Sequence, residues 1–468
     1  MVFSSAPFLF IFLPLVLILH TAVGKTKTRN VILTIASLLF YAYGEPAFVF
    51  VMLFFALLNW YAGIRMKAAG RYRGRWFAAV LGLDLLLLLS FKFFGSLSGM
   101  LFGSYVNIIR MPVTDVPIGL SFFTLRLISY IADVYGDPDK AEKDPLRVLL
   151  YLSFFPLMTA GPIMKETEFS KQLTDRYAGP EDIAGGIQRF TYGLFKKVII
   201  ADTASRVADG LFALDPAGLS MAGAWIAAIA FALQFCFDLS GYADMAIGIG
   251  RMLGFKAPEN FDHPYGSFSM REFLSRWNIT LVGWFKGYVY EPLGGDANSQ
   301  GRSAIRKLVC FAALGLLHGF GFKYLAFGLL IGIVLIAEDE FEIRYRLKRF
   351  KWIGWIYTIL IVTAALVMLR ADTFGRGIAV LGRMAAGGAG TVTAHNELMR
   401  VLDPYSVSVM LLGCVMSVIS IERLVPGRFR TGFDKQSPAA RVLSVAILFL
   451  CLLAVAGRSV VLPVYFRF

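Results

Sequence analysis

The chain holds four histidines in 468 residues, His20, His263, His318 and His395, so the setting of each is informative. His318 interrupts an apolar run, Val309-Cys-Phe-Ala-Ala-Leu-Gly-Leu-Leu-His318-Gly-Phe-Gly-Phe, which resumes past Lys323 and continues to Ile336. An imidazole titrates near neutrality and can therefore move a proton at physiological pH. An ionisable group at membrane depth is a functional-site candidate by default; a buried packing histidine is the other reading of this residue taken alone. Two further polar sets stand in apolar sequence. Gln234 to Arg251 carries Asp238, Ser240, Tyr242 and Asp244, and the segment Ser269 to Gly295 carries Arg276-Trp277-Asn278. Polar groups at such depth must be satisfied within the protein or line a wet cavity. Asp238 and Asp244 are six apart, which on a continuous helix points them in different directions, and Ser240-Gly241 between them predicts a bend or break. For the Ser and Tyr residues a helix-gluing role is expected, and for the two aspartates a structural or site-shaping one.

The elements that must position these groups read as membrane helices. The chain is 57% hydrophobic and 17% charged, with mean hydropathy +0.65, where a soluble domain carries about a quarter charged residues. Apolar runs recur at 7–24, 31–43, 48–64, 76–89, 225–237, 355–369, 407–421 and 442–456. A helix needs ~20 apolar residues to cross a bilayer, and on that length roughly 10 to 13 spans are expected. The fold class is an all-α polytopic membrane protein forming one integrated bundle: N-terminal helices over 1–115, a core over 116–340 and C-terminal helices over 341–468. Ser269 followed by Glu272 fits a capping box. From there Phe273, Leu274, Trp277, Leu281, Trp284 and Phe285 recur at helical spacing, which predicts one short amphipathic, interfacial or re-entrant helix. Pro264 marks the loop before it.

Charge and cysteine content exclude other classes. The net charge of +14 sits in short clusters beside apolar runs, which suits membrane topology better than nucleic-acid binding. Lys25, Lys27 and Arg29 follow the first run and Arg65, Lys67, Arg71, Arg73 and Arg75 the third. The positive-inside rule then puts those loops in the cytoplasm and the N-terminus outside. Arg344, Arg346, Lys348, Arg349 and Lys351 form another expected cytoplasmic loop, as do Arg423, Arg428, Arg430, Lys435 and Arg441, leaving Phe468 outside. Met1 to Ser5 lacks the basic residues of a cleaved leader. Cys236, Cys310, Cys414 and Cys451 have no CxxC spacing, so no metal site or disulfide framework is expected.

Several segments, in order, resemble the membrane-bound O-acyltransferase family, and within it the bacterial branch typified by alginate O-acetylation. They are Ser121-Phe-Phe-Thr with Ser129-Tyr and Asp133-Val-Tyr, Ala160-Gly-Pro-Ile, Gly193-Leu-Phe-Lys-Lys-Val-Ile-Ile-Ala-Asp202, and Phe237-Asp-Leu-Ser-Gly-Tyr-Ala-Asp-Met through Phe255. Pro258-Glu-Asn-Phe, Arg276-Trp-Asn, Tyr290-Glu-Pro-Leu-Gly-Gly and Leu317-His-Gly complete the set, with Met1 to Ser5 and Val464 to Phe468 at the ends. The resemblance implies a family fold of membrane and re-entrant helices around a central funnel. His318 is then the catalytic base and Asn278, in the Arg-Trp-x motif, its polar companion. Asn278 stands where the alginate branch usually has His, and Leu317 where a Trp is common. Trp277, Arg276, Asp238, Ser240, Tyr242 and Asp244 are expected to shape the site.

The resemblance further implies transfer of acetyl from cytoplasmic acetyl-CoA, with no bound cofactor, for O-acetylation of an exported polysaccharide. It also implies residence in the bacterial inner membrane, a periplasmic or extracellular acetyltransferase partner, and polysaccharide-synthesis machinery. Competing readings are a D-alanyl or lipid acyltransferase of the same fold and a non-catalytic export component. A transporter would predict internal repeats, and none is visible.

Overall fold

The computed structural model describes residues 1–102, 116–295, 300–419 and 438–457, together with 461 and 463. Of the expected basic loops, Arg423, Arg428, Arg430 and Lys435 lie outside the described residues, as do the side chains of Arg344, Arg346 and Lys348; the Val464–Phe468 motif lies outside too. Among the described residues the chain is helical, with one isolated antiparallel bridge, Phe261 to Trp277, and no strand.

The chain folds as two compact units, each discontinuous in sequence. The first comprises Met1–Phe190 with Met245–Pro258, the second Thr191–Asp244 with Glu259–Arg467. Such interleaving is what no set of cuts along the sequence can express.

The first unit begins with a π-turn at Phe8–Phe12, then α1 (Leu13–Ala22), α2 (Thr26–Ala42), α3 (Phe48–Ala68), α4 (Arg73–Phe102) and α5 (Leu120–Gly136). Short helices follow: α6 (Pro145–Ser153), α7 (Phe155–Met158), α8 (Glu166–Thr174) and the start of α9 (Pro180–Phe195). Asp144 caps α6, its carboxylate accepting from the Leu146 N–H at 2.9 Å, with Pro145 in the first turn where no donor is missed. α3 and α4 are tied at depth by the Asn59 amide donating to Asp84 at 3.0 Å. α3 meets α5 where Gly63 leaves room for the Tyr130 hydroxyl; a Cβ there would lie 2.6 Å from that oxygen. Phe3, Phe8, Phe40 and Phe155 fill the space beneath the N-terminus.

The second unit contains the end of α9, a π-turn at Lys196–Ala201, α10 (Asp202–Phe212) and most of α11 (Met221–Met252). Two seven-residue helices, α12 (Met270–Arg276) and α13 (Ile279–Phe285), precede α14 (Gln300–His318) and α15 (Phe322–Glu340). The rest are α16 (Ile343–Arg349), α17 (Lys351–Arg370), α18 (Phe374–Ala386), α19 (Val392–Val401), α20 (Pro404–Val418) and α21 (Pro438–Ala456). Every apolar run singled out in the sequence lies in a helix within the described residues. Among the described residues, four helices are by length and composition alone apolar enough to cross a membrane: Phe48–Ala68, Gly70–Lys92, Met221–Met252 and Lys351–Arg370. The pair α19 and α20, bent by 73°, makes a fifth if counted as one broken span. Shorter apolar helices, Phe8–Ala22 and Ala440–Ala456, stand beside them.

α14 and α15 form a hairpin whose crossing depends on two glycines. A Cβ on Gly315 would collide with the Tyr324 carbonyl, and one on Gly328 with the Phe311 carbonyl. Backbone contact of this kind is how membrane helices replace the hydrophobic drive that lipid removes. Gly328→Ala is expected to destabilise the purified protein by ~1–3 kcal/mol, read as a lower thermal midpoint. Gly301→Ala, where a Cβ meets nothing within 4 Å, is the control and should be neutral or stabilising; a G328A midpoint at the wild-type value would refute the tight crossing.

Candidate active site

Asn278 owes its place to a break in what the sequence presents as one helix. Ser269 caps α12, its hydroxyl accepting from the Glu272 N–H at 3.1 Å, while the Glu272 carboxylate accepts from the Phe268 N–H at 2.9 Å. Glu338, on α15, takes the next two exposed donors, the N–H groups of Met270 at 2.7 Å and Arg271 at 3.1 Å. The start of α12 is therefore fully capped. The helix stops at Trp277, which is extended and bridges Phe261. Asn278 then turns the chain through the left-handed region, φ 43° and ψ 53°, a conformation Asn tolerates better than most side chains. Asn260 receives the new start: its backbone carbonyl accepts from Ile279 at 2.9 Å, and its side-chain oxygen accepts from the Thr280 N–H at 3.0 Å and hydroxyl at 2.8 Å. The single amphipathic helix expected over 270–285 is thus two helices, because one loop satisfies both broken ends.

His318 is the last residue of α14. Its Nδ1 lies 3.0 Å from the carbonyl of Leu314, one turn earlier. A carbonyl can only accept, so Nδ1 donates in this contact. The ring packs edge-on against Phe327, centroids 5.4 Å apart. Both polar side chains are buried, His318 8% and Asn278 6% exposed.

They line one cavity of about 50 Å³. Trp277 lines it too, stacked between Phe235 and Phe273 at 5.5 and 5.3 Å. α11 contributes Phe235 and Leu239, and α14, α15 and α17 supply Leu314, Phe327, Ile331 and Leu366 among others. Among the described residues that line it, Asn278 and His318 alone carry amide or ionisable side chains, the Trp277 indole apart. The Asn278 Oδ1 is buried and accepts no hydrogen bond from the protein.

The other residues expected at the site lie elsewhere. Arg276 pairs with Glu272 at 2.7 Å, and its carbonyl accepts from the Asp262 N–H at 2.9 Å. Asp238, Ser240, Tyr242 and Asp244 are all buried in α11 and do not line the cavity. Asp238 pairs with Lys197 at 2.8 Å, and the same ammonium reaches Asp202 at 2.8 Å. Asp244 pairs with Lys196 at 2.6 Å. The expected bend between the aspartates is absent, since α11 is unbroken. Gly241 serves close packing instead: a Cβ there would lie 2.7 Å from the Gly193 carbonyl and 3.0 Å from the Lys196 Cβ.

Sequence reasoning missed the lysines, Asn260 and the acidic end of α15. Two consecutive lysines and two aspartates in separate apolar runs were the available signal, because charges buried together must pair. Glu338 and Asp339 gave no such signal, reading as an ordinary polar helix end. Asp339 binds Arg271 of α12 at 2.5 Å and Lys307 of α14 at 2.8 Å. It therefore ties the helix that leads to Asn278 to the helix that ends in His318. Burial alone would raise the Asp339 carboxyl, but hydrogen bonds from Lys307 and Arg271 outweigh it and hold the group below its ordinary value. Its contribution to stability is therefore present above the ordinary aspartate value and lost as pH falls through the lowered one.

A mostly apolar cavity with one basic ring nitrogen and one amide, built inside a helical membrane protein, fits acyl transfer to a hydroxyl. Comparison with known proteins agrees. Residues 119–371 match the membrane-bound O-acyltransferase family. The chain is 35% identical over 404 residues to the probable alginate O-acetylase AlgI of Pseudomonas putida, covering 85% of this chain and 83% of that protein. It is 36% identical over 379 residues to the probable alginate O-acetylase AlgI of Pseudomonas aeruginosa, covering 80% and 72%. It is 31% identical over 424 residues to the peptidoglycan O-acetyltransferase of Helicobacter pylori, covering 82% and 80%. This chain belongs to the membrane-bound O-acyltransferase family and is an O-acyltransferase.

Asp339→Asn is expected to cost about 1–2 kcal/mol, kept modest because Arg271 is half exposed and its share is screened. Thermal unfolding of the purified variant measures it, and an unchanged midpoint would mean the two helices are held by other contacts.

Proposed function

We propose that this protein transfers acetyl groups for O-acetylation of an exported polysaccharide, with His318 as general base. The observation that carries the reading is the cavity itself, where the two polar side chains meet an otherwise mostly apolar wall. At about 10–15 Å³ per small occupant, its volume suits a group of three or four heavy atoms. An acetyl has three. The lining offers no carboxylate to meet the ammonium of a D-alanyl group, which favours acetyl among the acyl groups this fold could carry.

His318 Nε2 removes the proton as the acceptor oxygen attacks the thioester carbonyl, a role typically worth ~10²–10⁴-fold. The ring then carries a proton on each nitrogen. The Leu314 carbonyl holds one, and the Asn278 Oδ1, which lacks a protein donor, can accept from the protonated ring or from the substrate hydroxyl. The Asn278 N–H groups can donate to the developing oxyanion, an interaction often worth ~3–4 kcal/mol. Collapse of that intermediate breaks the thioester C–S bond and leaves the acyl group on the acceptor oxygen, and the departing thiolate takes the proton from Nε2. Acetyl-CoA from the cytoplasm is the simplest donor. The basic loops after α1 and α3 favour an anionic donor there and agree with both termini facing outward across the inner membrane. A separate extracytoplasmic acetyltransferase would complete delivery to the glycan.

Mass spectrometry of surface polysaccharide tests this. His318→Ala should reduce acetylation at least ~10²-fold while the protein still reaches the membrane; wild-type acetylation would sink the assignment. Asn278 needs two variants, since Ala at a left-handed position adds strain of ~1–2 kcal/mol of its own. Asn278→Gly removes the amide without the strain. Equal loss in the Gly and Ala variants would assign the effect to the amide, and activity retained only by Gly would assign it to the backbone.

A further inference from the structure

In the first unit, three basic groups meet where α1 ends and α2 begins, with no acid among them. His20, in the last turn of α1, is 3% exposed, and its Nε2 is buried with no hydrogen-bond partner. Arg176, just after α8, is 7% exposed. Its Nη1 donates to the Asn30 side-chain oxygen at 2.6 Å and reaches the Gln172 carbonyl at 3.5 Å, while the guanidinium lies over the Phe255 ring at 4.4 Å. Asn30 is itself anchored by donating to the Leu173 carbonyl at 3.0 Å. The remaining Arg176 donors, Nε and Nη2, are buried and unpartnered. Arg29, half-buried, donates its Nε to the Val23 carbonyl at 2.7 Å.

Arg176 and Arg29 both act electrostatically on the His20 ring, and no carboxylate acts on either His20 or Arg176. Burial first, and the Arg29 charge second, pull the Arg176 guanidinium down to about 10. It still carries its charge at neutral pH, beside a like charge and among apolar groups. A buried charge without a counter-charge is strongly destabilising, whereas the same donors around an oxyanion give short, charge-assisted hydrogen bonds. A planar guanidinium with two donors to spare is the usual reader of phosphate oxygens. The connection before α2 is basic and exposed at Lys25 and Lys27, which draws anions towards the cluster.

We propose that His20, Arg29 and Arg176 form a binding site for a phosphate group, carried by an anionic phospholipid headgroup or by a soluble phosphorylated molecule. The test uses the full chain, delipidated in a phosphate-free maltoside detergent at constant ionic strength. Inorganic phosphate, adenosine 3′,5′-bisphosphate and phosphatidylglycerol in mixed micelles are each titrated while the thermal midpoint is followed. At least one is expected to raise the wild-type midpoint, with apparent affinity at least ~10-fold weaker in Arg176→Gln and in His20→Gln. Stabilisation by phosphatidylglycerol alone assigns the headgroup, and stabilisation by phosphate or the bisphosphate assigns a soluble source. A wild-type midpoint unmoved by all three, or moved equally in both variants, overturns the proposal. Should R176Q fail to fold, H20Q decides alone, because it leaves the Arg176–Asn30 bond in place.

Discussion

A hydrogen-bonding group inside an apolar protein has no water to fall back on, and in this molecule that constraint fixes the active centre. His318 ends its helix with Nδ1 held by the carbonyl of Leu314. That bond lies within α14 itself. Nδ1 is thereby held within α14, while the other groups that line the cavity must be brought to it. α15 does this through backbone contact at Gly315 and Gly328. The same helix ends in Glu338 and Asp339, which hold the start of α12. A helix pressed close by its glycines thus delivers, at its far end, the carboxylates that place Asn278.

The ion pairs of α11 obey the same constraint for a different end. Lys197 sits between Asp202 and Asp238, and Lys196 meets Asp244. Removing one member of a buried pair costs more than the pair contributes, because the other charge is stranded. Such a network fixes the register of α11, the helix that turns Phe235 and Leu239 towards the cavity.

What the sequence made legible follows from this. Apolar runs declared helices because their signal is summed over many residues, and His318 declared itself because burial makes one imidazole conspicuous. The capping box at Ser269 was readable because its residues are local. The break at Asn278 was not. Apolar spacing continues across it from Phe273 to Phe285, and the groups that open the helix, Asn260 and Glu338, come from a loop and a helix end elsewhere. The bend expected at Ser240-Gly241 failed for a related reason. Glycine in a helix signals either flexibility or close approach, and only the neighbour, here the Gly193 carbonyl, decides which.

Asn278 meets the demands of its position with an amide. The position asks two things of its side chain: tolerance of positive φ and a polar atom facing an apolar cavity. Asn meets the first with less strain than most residues. For the second, its amide offers an acceptor and two donors without any change of protonation. A base that takes up a proton needs a neighbour able to welcome the new N–H, and a neutral carbonyl oxygen does so with no competing titration. A histidine there would couple two titrations, so that neither ring has a pKa of its own.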